Sequence, residues 1–122
     1  MGDLTFRTVS TTNAARCNRW HHGFPGGDDA WTGADWSNAM QGEAGEAGNV
    51  VKKLRRIDLA LWGNRKEGDT NREALLAKLA AEIADTYLYL DLLATYYGVD
   101  IEQAIIAKFN KISVEAGFPE RL

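Results

Sequence analysis

The sequence predicts an all-α fold, a small helical bundle, on three observations. After residue 33 apolar residues recur at three- and four-residue spacings, strand-like alternation of useful length is missing, and Gly, Pro and Asn punctuation separates the periodic stretches. The first helix is expected from about Thr12 to Trp20. It is followed by His22-Gly23-Phe24-Pro25-Gly26-Gly27-Asp28-Asp29, a loop because Gly and Pro resist regular structure. Thr32 or Asp35 can cap a second helix that carries Trp36, Met40, Ala47, Val50, Val51 and Leu54 and runs to about Leu61. Gly63-Asn64 and Gly68-Asp69 mark a polar connection, and Thr70-Asn71-Arg72-Glu73 reads as a capping box that opens a third helix, ending between Tyr97 and Gly98. Asp100 caps a fourth, whose stripe is Ile101, Ile105, Phe109, Ile112 and Ala116 and whose end is Gly117, before Pro119.

With 122 residues, 45% of them hydrophobic and 25% charged, the chain has the size of one domain, divided into an N-terminal third (1–34) and a helical core (35–117). No apolar run is long enough to cross a bilayer and the N-terminus lacks a secretory apolar region, so no membrane partner and a cytoplasmic location are expected. A net charge of -3 argues against a protein that binds by neutralising a nucleic-acid backbone. The single cysteine, Cys17, excludes an internal disulfide and a Cys-rich zinc site, and the only histidines, His21 and His22, are adjacent. Neighbouring helical residues diverge by about 100°, so the two cannot share a metal from one helix. Any metal ligands are therefore mostly oxygens.

The carboxylates supply them. On a helical wheel that starts at Trp36, Leu54 returns to the same direction, Ala47 lies at about 20°, Met40 at about 40° and Val50 at about 320°. Glu43 falls among them at about 340°. An unpaired carboxylate in an apolar stripe costs several kcal/mol, so something must compensate it. Glu46 sits one turn on, at about 280°. The third helix repeats the pattern around a stripe of Leu75, Leu79, Ile83, Leu90, Leu93 and Tyr97. On a wheel that starts at Leu79, Glu82 lies at about 300° and Asp85 at about 240°. An antiparallel hairpin brings the two acidic pairs level to within about a turn. Four converging carboxylates need divalent cations, and an all-oxygen set suits Mg²⁺ or Mn²⁺. The bland alternative is a solvated acidic face balanced by lysines.

Gly42-Glu43-Ala44-Gly45-Glu46 and Glu82-Ile83-Ala84-Asp85 resemble the ExxE and ExxD signature of the MazG-like all-α nucleoside triphosphate pyrophosphohydrolases, relatives of the dimeric deoxyuridine triphosphatases. The likeness spans about Trp36 to Gly117 and is supported by Asn49-Val50-Val51-Lys52-Lys53, Tyr87-Leu88-Tyr89-Leu90-Asp91 and Lys108-Phe109-Asn110-Lys111. There are two departures. Gly42 stands where many members have a further glutamate, and the 35 residues between Glu46 and Glu82 exceed the usual gap, which implies a longer helical hairpin or an insertion around Trp62 to Thr70. The resemblance implies that Glu43, Glu46, Glu82 and Asp85 hold Mg²⁺ against the triphosphate of a nucleotide, with a nucleoside monophosphate and pyrophosphate as products. Glu46, at the stripe's edge where water reaches it, is the candidate base. Lys53, which shares a flank with Glu46, and Lys108 and Lys111, which border the last stripe, are candidates for the outer phosphates, or else ordinary surface lysines.

Trp20, Trp31 and Trp36 concentrate aromatic surface in the least regular third. A base could stack on Trp20 or Trp36, although closing the bundle's open end is the simpler role. Cys17 reads as a small buried hydrophobe. A third helix apolar on most sides, with Leu88 and Leu92 outside its stripe, suits a homodimer or homotetramer, unless the N-terminal third covers it. Di-iron carboxylate bundles need Glu-x-x-His pairs, and neither histidine follows a glutamate by three. A non-enzymatic helical interaction or regulatory module is the remaining alternative.

Overall fold

A computed structural model describes residues 2–27, 30–64 and 69–122. Among the described residues it contains four α-helices and no strand: α1 (Phe6–Trp20), α2 (Gly33–Asp58), α3 (Arg72–Tyr96) and α4 (Ile101–Ala116). None of them is long and apolar enough to cross a membrane. Asp28 and Asp29 of the Gly-rich loop, and 65–68 of the expected insertion, lie outside the described residues.

The ends of the helices follow local chemistry, and three differ from the expectation. α1 starts six residues before Thr12, because Thr5 and Thr8 cap each other reciprocally: each hydroxyl accepts the other's backbone N–H, at 2.9 and 3.0 Å. A Thr at the third position replaces the usual Glu or Gln, and the first turns carry no apolar period to announce them. α2 stops at Asp58, short of Leu61, where Ala60 takes a left-handed φ of 52°. There Leu61 N–H donates to Arg56 C=O and Ala60 N–H to Ile57 C=O, a Schellman cap with alanine in the glycine position. α3 begins one residue later than the expected box, since Asn71 Oδ1 accepts from Ala74 N–H at 3.1 Å. α4 matches its signals, with Asp100 accepting from Gln103 N–H and Gly117 left-handed at 73°.

The chain divides into two compact units, Ala34–Leu90 and Met1–Gly33 with Asp91–Leu122. In the second of these α1 touches α4. Asp91 of α3 is completely buried there, accepting from the Ser10 hydroxyl and, at 3.0 Å, from Asn13 Nδ2. Cys17 is buried, as expected. The stripe of α4 is not: Ile105, Phe109 and Ile112 are exposed, and the buried residue is Ser113, about 70° round the helix from the stripe's centre.

The other unit is an antiparallel hairpin of α2 and the first part of α3. Early α2 meets late α3 (Trp36 with Tyr89, ring centroids 6.3 Å apart), and late α2 meets early α3 (Asp58 with Arg72, 2.9 Å). Between them Val50, Leu54 and Leu75 form the core, with Ile57 and Leu79 packed against it. α2 buries the expected stripe except Val51, which is 50% exposed, but α3 does not bury its own. Ile83 is 56% and Leu90 41% exposed. The buried line of α3 in this unit passes through Leu75, Leu79, Glu82, Thr86 and Tyr89, a face centred about 60–80° from Ile83 and Leu90. That rotation moves apolar residues outward and an acid inward.

Candidate metal centre

Glu43 reaches the hairpin interface because it lies between Met40 and Ala47 on the buried side of α2, and Glu82 because α3 presents its acidic edge there. Asp85 follows three residues on, at the exposed margin. One ligand oxygen from each of Glu43, Glu82 and Asp85 lies within 4.8 Å of the other two. Among the described residues this is the one such grouping of acids, histidines or cysteines. Octahedral Mg²⁺ at about 2.1 Å from each oxygen sets neighbouring ligands about 3.0 Å and opposite ligands about 4.2 Å apart. The 4.8 Å limit is slightly wider than that span, so the three oxygens would have to draw together to share one hard divalent ion.

The electrostatics record the crowding. Glu43 is held above the ordinary carboxyl value of 4.5, first by partial burial, then by the hydrogen bond it shares with Glu82, then by the negative charges of Asp85, Glu82 and Glu46. A proton or a cation relieves that repulsion. Glu46 is exposed and outside the three-oxygen group, although its charge is felt at Glu43. Of the four acids expected to converge, the structure gathers three and leaves Glu46 on the rim.

The remaining candidates are placed differently. Lys53 sits in the same hairpin, but its ammonium is 3.0 Å from Asp69. It also stands ten residues beyond Glu43, about 15 Å along the helix axis. Lys108 and Lys111 belong to the other unit and are exposed, with Lys111 Nζ 3.8 Å from Glu115. Trp36 is a buried core residue against Tyr89, so its ring presents no open platform for a base. Trp20 is 67% exposed and has the Arg16 guanidinium 5.6 Å from its ring centroid. His21 packs edge-on to Trp31 at 4.8 Å. Two polar features went unread in the sequence. Asp91 followed an apolar run without any local sign of burial, and Asp69, which holds Lys53 and Lys78, looked like one more loop acid.

Comparison of the chain with known protein families, with curated proteins and with solved structures finds no match.

Proposed function

We propose that the chain is a Mg²⁺-dependent nucleotide pyrophosphohydrolase that converts a nucleoside triphosphate to the monophosphate and pyrophosphate. The observation that carries this reading is the convergence of Glu43, Glu82 and Asp85 from two helices, with one carboxyl pushed toward its neutral form. Three acids crowded at a half-buried helix interface repel one another without a cation, and the same residues carry the resemblance to the MazG-like enzymes. Glu43, Glu82 and Asp85 are the residues that would hold the ion. When bound, it supplies charge neutralisation for phosphate oxygens that are already negative. Glu46, exposed and one turn from Glu43, has the access to solvent that a water-orienting or proton-accepting carboxylate needs. Thr86 donates its hydroxyl to Glu82 C=O at 2.7 Å, which ties its side chain back onto the turn that carries Glu82.

The outward row of Leu76, Ile83 and Leu90, spaced by seven residues on α3, supports assembly with a second copy. The same row is what a non-enzymatic interaction module would present, and this favours that module as the second reading. The deciding experiment incubates the purified protein with a panel of ribo- and deoxyribonucleoside triphosphates and Mg²⁺ and assays pyrophosphate. Release by the wild type, with loss of at least about a hundredfold in Glu43→Gln and Glu82→Gln, supports the enzyme. Silence across the panel, with Mg²⁺ leaving the melting temperature unchanged, supports the module.

A further inference from the structure

Charge along this chain is strongly polarised. Eight of the fourteen Lys and Arg, but four of the seventeen Asp and Glu, fall between residues 52 and 78, so this segment carries +4 and the remainder -7. Two of these four acids are matched by cations: Asp58 by Arg72 at 2.9 Å, and Asp69 by Lys53 at 3.0 Å and Lys78 at 3.7 Å. Lys52 and Arg55 are exposed on α2. With Leu59 they form one stripe at three- and four-residue spacing. Beyond Ala60 the chain turns, and Leu61 and Trp62 continue the same end of the hairpin. Leu59 and Leu61 are exposed, and Trp62 is 83% exposed.

We propose that this end of the hairpin docks on the surface of an anionic phospholipid bilayer. The surface combines two demands, apolar contact for Leu59, Leu61 and Trp62 and negative charge for Lys52 and Arg55. A bilayer interface offers hydrocarbon and anionic headgroups at adjoining depths, and Trp is favoured at that boundary. A nucleic acid offers phosphates, and a base face for Trp62, but leaves two leucines in water. Since no described helix is long and apolar enough to cross a membrane, the contact is peripheral. Lys52, the nearest of the docking residues, lies nine residues beyond Glu43 on α2, about 13 Å along the axis and about 180° round it, so docking leaves the acid cluster accessible. The net charge of the whole chain does not reveal a local pair of exposed cations such as Lys52 and Arg55, because it is summed over all residues.

The test is co-sedimentation of the full chain with phosphatidylcholine vesicles, with and without phosphatidylserine, and with a single-stranded oligonucleotide as competitor. Pelleting is expected only on the phosphatidylserine vesicles. Lys52→Ala/Arg55→Ala should weaken it about 25-fold, about fivefold per charge, and Trp62→Ala about tenfold. Unchanged far-ultraviolet dichroism and melting of the variants, expected at exposed positions, assign these losses to docking. No pelleting, equal pelleting on both vesicle types, or equal pelleting by wild type and both variants overturns the proposal. So does displacement by the oligonucleotide at stoichiometric concentration, which assigns the surface to nucleic acid.

Discussion

Replacing Glu43 by Gln removes one of three charges whose ligand oxygens lie within 4.8 Å of one another. At that outer limit each pair repels by about 0.9 kcal/mol in the dielectric of water, and closer pairs repel more. Physiological salt, with a screening length of about 8 Å, cuts this roughly in half. Glu43 faces two neighbours in the group, so the substitution relieves about 1 kcal/mol in metal-free buffer. The aqueous dielectric gives the smallest value, since Glu43 and Glu82 are half-buried and only Asp85 stands at the exposed margin. For a chain of 122 residues, about 1 kcal/mol moves the melting temperature by about 4 °C. Glu43→Gln should therefore melt at least about 4 °C above the wild type in EDTA. Mg²⁺ at about a hundred times its Kd stabilises the wild type by about 2.7 kcal/mol, or about 10 °C, and the variant much less, so the order reverses. The pH dependence has a definite sign. The folded-state carboxyl titrates above the ordinary 4.5, so its ionisation opposes folding. The variant's advantage in EDTA is full at neutral pH, shrinks as pH falls through the raised folded value, and is gone only well below 4.5, where both states hold the proton. Differential scanning calorimetry across pH, with EDTA or Mg²⁺, checks all three statements. A variant less stable than the wild type in EDTA, or equal Mg²⁺ shifts in both proteins, would refute the repulsion and the shared ion.

Three further perturbations test the scaffold. Ala60→Gly should raise the melting temperature by about 2–4 °C, because the left-handed conformation at φ 52° costs an L-residue about 1–2 kcal/mol and glycine's extra chain entropy returns only about half of it; a lower melting temperature would show that the Schellman turn tolerates alanine without strain. Asp91→Ala leaves the Ser10 hydroxyl and the Asn13 amide without their buried acceptor, and urea unfolding should report a loss of about 2–4 kcal/mol; a loss below about 0.5 kcal/mol would mean that the two donors find other partners. Asp69→Ala should cost about 1–3 kcal/mol, since Lys53 is mostly buried beside a carboxylate that is 5% exposed, and the loss should change little between low and high salt because a buried pair is poorly screened. A loss that disappears in high salt would place the pair at the surface.

Much of the hairpin was legible in the residues. The Trp36 to Leu54 stripe of α2 becomes the buried face, Asp100 and Gly117 bound α4 as their types require, and Glu43 is drawn inward because it stands within that stripe. These features depend on contacts a few residues apart, where helical periodicity and cap chemistry act directly. The rotation of α3 was decided elsewhere. Its sequence is apolar on most sides, so periodicity alone does not choose a face, and packing against α2 selects the line through Leu75, Leu79 and Glu82 over the one through Ile83 and Leu90. That choice puts Glu82 and Asp85 beside Glu43, leaves Glu46 at the rim and turns an apolar row outward. Likewise the burial of Asp91 depends on donors 81 and 78 residues away in the chain. Local residues determined where helices begin, end and carry charge; only the packing of one helix on another determined which charges meet, because that depends on a rotation about the helix axis that the apolar pattern of α3 leaves open.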